Sequence, residues 1–178
     1  MLRLSNVFPM FSIRISKSRR PLSKENQRMS EVRYKFRVRW ADLDPNGHMR
    51  HTAYNDYCAQ ARLMYFEDIS MPFHKLITMG VGPILFREDT RFFKEVRMNE
   101  EFEVAFTISK LRRDGSKWSF RHNIYNYSGD LSAKVDVDGA WLDLAKRKTT
   151  VPPEELSKLL LEGVMSDDFE WIPDKVRA

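Results

Sequence analysis

From Val32 to Trp40, apolar and basic side chains alternate: Val32, Tyr34, Phe36, Val38 and Trp40 stand between Arg33, Lys35, Arg37 and Arg39. A period of two puts each set on its own side of an extended chain, which predicts a strand with one buried and one basic face. Pro45 and Gly47, within Asp42-Leu-Asp-Pro-Asn-Gly47, end that strand in a turn. The period then changes. Tyr54, Tyr57, Cys58, Ala61, Met64, Tyr65 and Ile69 recur mostly at spacings of three and four, with polar residues between them, and predict one long helix that stops at Ser70-Met71-Pro72. The small Ala61 in its apolar stripe would let a sheet approach closely. After Gly80, Gly82 and Pro83 the period of two returns, predicting strands over about 84–96, 102–111, 117–127 and 131–144. Asp114-Gly115 and Ser128-Gly129-Asp130 mark tight reversals, as antiparallel hairpins require. Pro152-Pro153 opens a short helix that runs to about Glu162 and closes at Gly163.

The order is strand, long helix, four antiparallel strands. A single helix cannot bury itself and a sheet of that length must cover something, so the economical solution is an α+β fold with a curved sheet wrapped around the helix. Such a sheet leaves an outer face or an edge in need of protection, and a homodimer is expected.

Charge divides the chain in two. Of 30 basic and 25 acidic residues, residues 1–30 hold seven basic ones against the single acid Glu25. The rest of the chain is electrically balanced, so a nucleic-acid-binding face is not expected on the fold. Residues 1–30 read as a leader outside the domain, either an Arg- and Ser-rich transit peptide or a disordered segment with Met29 the natural start of the folded unit. The first reading implies an organelle and the second the cytoplasm, where the expectation is placed. Residues 31–150 form the domain, and 151–178 a C-terminal helix and tail. No apolar stretch reaches the roughly 18 to 20 residues that a membrane-spanning helix needs. The lone Cys58 excludes an internal disulfide and, within the apolar helical pattern, reads as a small buried hydrophobe.

The chemistry is concentrated in Trp40-Ala-Asp-Leu-Asp-Pro-Asn-Gly-His-Met-Arg-His51, which places two carboxylates, an amide and two imidazoles between a strand and a helix start. The unpaired N–H groups of a helix N-terminus can polarise a carbonyl and stabilise the oxyanion that forms on it. A carboxylate beside it can attack that carbonyl or activate a water. A thioester is electrophilic and has a good leaving group, so this chemistry calls for neither a serine nucleophile, nor a metal, nor any other cofactor.

Asp42-Leu-Asp-Pro-Asn-Gly-His-Met-Arg-His-Thr-Ala-Tyr54 resembles the active-site loop and helix start of hotdog thioesterases of the 4-hydroxybenzoyl-CoA thioesterase type. It is also similar to the Asp-Leu-Asp-x-Asn-x-His stretch of plant acyl-carrier-protein thioesterases. The resemblance extends over about residues 31–150, including Arg112-Arg113 and Trp118-Ser-Phe-Arg-His122. It implies a hotdog fold and an acyl-CoA thioesterase in which Asp44 is the catalytic carboxylate. It gives His51 the position whose backbone N–H polarises the thioester carbonyl. Asn46 and His48 match the catalytic amide and histidine of the acyl-carrier-protein branch only, while Met49, Arg50 and His51 stand where the family usually carries Val and Asn. Arg112, Arg113 and Lys117 are implied as cations for the coenzyme A nucleotide, the plain alternative being a solvated hairpin end. A homodimer or homotetramer with a shared cleft follows from the same resemblance.

Other readings of these residues are weighed against it. Asp-x-Asp before a helix often does only turn and capping work, and Asp42 is expected to order the loop. His48 and Asn46 can assist a base or simply bond within the turn. Asp42-x-Asp-x-Asn-Gly47 imitates half of a calcium loop, but Ala53 stands where the closing Glu belongs and a strand precedes it. His48 and His51 straddling a helix start are poor zinc ligands. His74 and His122 are assigned core or surface roles. The competing functions are an acyl-carrier-protein thioesterase and a non-catalytic acyl-binding hotdog protein.

Overall fold

The computed structural model describes residues 31–174; the expected leader, residues 1–30, lies outside them. Strand β1 (Val32–Arg37) is followed by a 3-10 turn at Trp40–Asp42, then by helices α1 (His51–Asp68) and α2 (Phe73–Thr78). Strands β2 (Val81–Phe92), β3 (Glu101–Arg112), β4 (Lys117–Tyr125) and β5 (Leu131–Asp143) come next, and the chain closes with β6 (Lys148–Thr150), α3 (Glu154–Leu161) and β7 (Met165–Ile172). The main strands lie in the order β1-β3-β4-β5-β2 and all pair antiparallel. This is the α+β hotdog arrangement, with the curved sheet covering the long helix.

Spacing along α1 explains the packing. Ala53, Cys58 and Ala61 are 0% exposed, and these small side chains let the helix settle close to the sheet. Larger neighbours on the same stripe then interlock with β3 and β4. Tyr65 stacks on Phe106 at 4.2 Å between ring centres, Tyr57 meets Phe102 edge-on at 4.9 Å, and Phe66 meets Phe120 at 6.2 Å. Each such ring contributes about 1.5–3 kcal/mol through the area it removes from water. On β4, Trp118 lies flat across its neighbour Gly139 of β5. A Cβ there would fall 2.2 Å from the indole and 2.5 Å from the Ile84 carbonyl oxygen, so only glycine fits.

Three features depart from the periodic reading. Trp40 does not continue the buried face of β1: the strand ends at Arg37, and Trp40 is 84% exposed. The 3-10 turn, closed by the Leu43 N–H on the Trp40 carbonyl and by the Arg39–Asp42 pair, rotates it outward. Residues 93–96, expected to continue β2, leave the sheet instead. Beyond α3 the chain adds β7, which runs parallel to β3 and pairs Lys110 with Glu170 and Leu111 with Trp171. It occupies the part of the β3 edge that the six-residue β1 is too short to cover. On the other side of the sheet β2 has one partner, β5, among the described residues, and presents Leu85, Phe86 and Phe92 to solvent. No helix among the described residues is long and apolar enough to cross a membrane.

Candidate active site

The loop between β1 and α1 is a small hairpin of its own. Leu43 bridges Met49, the Asp44 N–H donates to the His48 carbonyl at 2.8 Å, and the Arg50 N–H donates to the Asp42 carbonyl at 2.8 Å. Gly47 turns its tip at φ 77°, a left-handed conformation that suits glycine. The hairpin is fastened to the segment after β2. Met49 N–H donates to the Val96 carbonyl at 2.7 Å, Met98 N–H donates to the Gly47 carbonyl at 3.2 Å, and His48 bridges Arg97.

The two aspartates of the loop have separate environments. Asp42 is 1% exposed, and its carboxylate accepts bonds from Arg39 Nε at 2.6 Å and the Tyr57 hydroxyl at 2.8 Å. Arg39 holds its carboxyl below the usual carboxylate range, with Tyr57 and Arg50 assisting against burial. Asp42 thereby ties the loop to α1 through Tyr57 and to the helix N-cap, Arg50. Asp44 stands at the surface side of the loop, partly exposed. Its Oδ1 accepts the backbone N–H groups of Asn46 at 2.8 Å and His48 at 3.0 Å. The His48 N–H is the main reason the Asp44 carboxyl sits below its ordinary range. An ionised, oriented carboxylate results.

His51 is the first residue of α1, and its side chain is exposed. The N-cap residue Arg50 makes no side-chain capping bond, and its carbonyl accepts the Ala53 N–H at 2.9 Å, which leaves the His51 and Thr52 N–H groups at the start of an 18-residue helix without a side-chain cap. Tyr54, one turn on, packs its ring edge-on against Phe92 at 5.1 Å. Burial raises the Tyr54 phenol, and the charges of Glu95 and Asp44 raise it further. Asn55 accepts a bond from the Thr90 hydroxyl at 2.9 Å, joining the helix to the end of β2. Tyr54, Phe92 and Glu95 carry no motif of their own. Only the place of Tyr54 one turn into the helix after the loop hinted at its neighbourhood.

Asp44, Asn46, His48 and His51 are therefore brought together within one clamped loop and the helix it starts. Arg112, Arg113 and Lys117 are not brought to them within the chain. They lie at the far end of β3 and the start of β4, roughly 36 Å along the strand from Glu101 at about 3.3 Å per residue. Arg112 donates to the Pro173 carbonyl at 3.2 Å, and the Arg113 guanidinium lies 4.7 Å over the Trp171 ring, so β7 and the residue after it engage both. Lys117 is half-buried beside Ser116 and Thr150. Cys58 is buried, which pushes its thiol up and away from reactivity. His74 is exposed on α2, and His122 is fully buried in the sheet with Nδ1 at 3.2 Å from the Val135 carbonyl. Among the described residues no group of three or more His, Cys, Asp or Glu could hold a metal ion.

Comparison with known proteins agrees with this architecture. A relative from Aquifex aeolicus (strain VF5), carried under an esterase name, is 24% identical over 127 residues, covering 71% of this chain and 95% of its own. A Staphylococcus aureus protein solved in complex with CoA superposes with a TM-score of 0.71 at 14% identity, covering 83% of this chain and 91% of that one. The 1,4-dihydroxy-2-naphthoyl-CoA thioesterase of Synechocystis superposes with a TM-score of 0.67 at 18% identity, covering 75% and 97%. Those two likenesses concern the fold. The family follows from a match of residues 38–160, which span the loop, α1 and strands β2 to β6: the chain belongs to the Thioesterase-like superfamily.

Proposed function

We propose that the protein is an acyl-CoA thioesterase in which Asp44 is the reacting carboxylate and the backbone N–H of His51 polarises the thioester carbonyl. One observation carries the reading: an ionised carboxylate, aligned by two backbone N–H groups, stands in the loop that leads into an uncapped helix N-terminus. As the carbonyl is attacked, negative charge builds on its oxygen, and the N-terminal N–H groups stabilise that charge without reorganising. Asp44 either attacks the carbonyl carbon itself or takes a proton from the water that does. On direct attack the carbon–sulfur bond breaks to leave a mixed anhydride on Asp44, which a water then hydrolyses, the thiolate taking up a proton from solvent. In the water route the proton that Asp44 removes passes to the departing sulfur. In both the products are the free acid and the coenzyme A thiol. Tyr54 and Phe92 form an apolar wall beside the loop that fits the acyl group.

The active unit in this reading is a homodimer, or a tetramer built from such dimers. β2 is a twelve-residue strand whose outer edge is open among the described residues, with Leu85, Phe86 and Phe92 exposed, the type of edge that monomers normally cover. Two copies joined across a two-fold axis pair these strands antiparallel, so the Asp44 end of one subunit lies beside the opposite end of the other. The lysine and arginines that are remote from Asp44 within the chain then approach it from the partner. Hydrolysis of an acyl-carrier-protein thioester is the alternative within the same chemistry, and it assigns catalytic work to Asn46 and His48. The experiment is release of free thiol from acyl-CoAs of varied chain length and aromatic character, compared with the matching acyl-carrier-protein thioesters. Thiol release from acyl-CoAs supports the proposal; inertness of every thioester overturns it in favour of a non-catalytic acyl-binding role.

A further inference from the structure

The face of α1 that looks toward β2 carries a charge that its own chain leaves unmatched. Asn55 marks that face through its bond with Thr90, and Arg62 stands on the same side seven residues on, about two helical turns. Arg62 Nη1 is buried without a hydrogen-bond partner, and the guanidinium forms no ion pair among the described residues. Burial pulls it below the ordinary arginine range, against the opposing influence of Cys58 and Glu88 close by. A buried cation is costly unless an anion pairs with it.

Glu88 is the anion within reach. Side chains alternate along β2: Thr90 meets Asn55 and Phe92 meets Tyr54, so Glu88 shares the face that looks at α1. On the other face the charges are matched within the chain, Arg87 by Asp89 and Asp138, and Arg91 by Asp89. Glu88 is exposed and has no such pair among the described residues. Helix and strand run in opposite directions here, and Arg62 lies roughly 10 Å beyond Asn55 at about 1.5 Å per residue, which brings it level with the middle of β2. That middle falls between Phe86 and Arg87. When two β2 strands pair antiparallel over their full length, the two-fold axis passes through this point, and Arg62 and Glu88 of both copies gather around it. Two guanidiniums meeting there need carboxylates between them.

We propose that Arg62 of each subunit pairs with the partner's Glu88, so that two crossed ion pairs lie at the two-fold axis and dock a second copy of this chain in one register. The proposal rests on the β2 pairing inferred above and is independent of the thioester chemistry. A slip of one residue along β2 turns Glu88 to the outer face and leaves both cations unpaired, so the crossed pairs select the register that sets each subunit's Asp44 end against its partner. Leu63 and Phe86, exposed in the single chain, stand next to these charges and bring apolar surface that excludes water from them.

The test is sedimentation of wild type, R62E, E88R and an equal mixture of the two variants across a range of concentrations. Each variant alone sets like charges against one another across the axis. Its dimer dissociation constant is expected to rise at least about a hundredfold, the scale of a broken buried ion pair. In the mixture both crossed pairs re-form with their signs exchanged, and a heterodimer close to wild type in affinity is expected. Pairing within one chain gives the opposite result, because each variant chain then carries its own like-charge clash, and a mixture that recovers no heterodimer overturns the proposal. Glu88 is exposed, so E88R keeps the fold, and a wild-type dissociation constant for E88R overturns the proposal by itself. Arg62 is more enclosed; should R62E not fold alone, its recovery as a one-to-one complex when co-expressed with E88R supports the crossed pairs, and its failure to be recovered refutes them. A wild type that stays monomeric at every concentration overturns β2 pairing itself, while thiol release measured on the same samples reports on the thioesterase reading separately.

Discussion

Asp44 and His48 hold each other in both directions: the Asp44 N–H donates to the His48 carbonyl at 2.8 Å, and the His48 N–H donates to the Asp44 side chain at Oδ1, 3.0 Å away. An asparagine at position 44 keeps an oxygen acceptor for the N–H groups of Asn46 and His48, so the loop survives while the charge is lost. Asp44→Asn should therefore leave thermal stability close to wild type and lower kcat by at least about a hundredfold, the scale of a lost acid–base group. The same exchange at Asp42 should do the opposite. There a buried carboxylate holds Arg39, Tyr57 and Arg50 together, and Asp42→Asn should cost about 2 kcal/mol in a urea titration. Full activity in a folded Asp44→Asn protein would remove Asp44 from the mechanism.

His51 separates a backbone role from a side-chain role. Its side chain is exposed, so His51→Ala should have little effect on kcat. His51→Pro removes the N–H together with the imidazole, and the alanine variant controls for loss of the side chain. Proline is favoured at the first helical position, and Arg50 already has the extended conformation, φ −62° and ψ 145°, that must precede it. The proline variant should fold and lose about a hundredfold to a thousandfold in kcat, the range for one oxyanion donor. Equal rates for the alanine and proline variants would show that the carbonyl is polarised elsewhere.

Asn46→Ala and His48→Ala distinguish the two carriers. Asn46 and His48 give Asp44 their backbone N–H groups, which alanine retains. Under the acyl-CoA reading each variant should keep kcat within about tenfold of wild type, well short of the loss expected for a true acid–base group. Losses equal to that of Asp44→Asn, measured on one good substrate, would move the assignment to acyl-carrier-protein chemistry.

Acid should destabilise the fold through His122. Burial lowers its pKa from 6.5 to about 3, with the charge of Arg62 acting in the same direction. The unfolded chain therefore takes up a proton near pH 6.5 that the folded protein refuses. This contribution to stability is complete above pH 6.5 and is lost at about 1.4 kcal/mol per pH unit as the pH falls toward 3. Urea midpoints measured from pH 7 to pH 4 should follow this slope, and a His122→Gln variant should show a shallower one. An identical pH dependence in both would assign acid sensitivity to the carboxylates.

Assembly has its own readout. Pairing of open β2 edges predicts sedimentation at micromolar concentration as at least a dimer of the 21.1 kDa chain. Glu88→Pro, in the middle of β2, removes a strand N–H and should shift the distribution toward monomer with loss of activity. A wild-type monomer with full activity would exclude the shared cleft.

Local periodicity determined most of the elements. Alternation along β1 and β3–β5, the three-and-four spacing of α1, and the glycines at 115 and 129 are properties of neighbouring residues, and the sheet and helix follow them. The loop from Asp42 to His51 was legible for the same reason, because its candidate groups are contiguous in the chain. Strand order and edge competition are long-range, and tertiary structure decided what depends on them. Nothing around Met165 announces a strand; β7 forms because β1 leaves part of the β3 edge unpaired. The burial of Asp42, as against the partial exposure of Asp44, required Tyr57, fifteen residues from Asp42, to reach back from α1. The separation of Arg112, Arg113 and Lys117 from Asp44 follows from the direction and length of β3, which no local pattern encodes. Hydropathy specifies which face of an element is buried, and only the folded sheet specifies which ends of its strands meet.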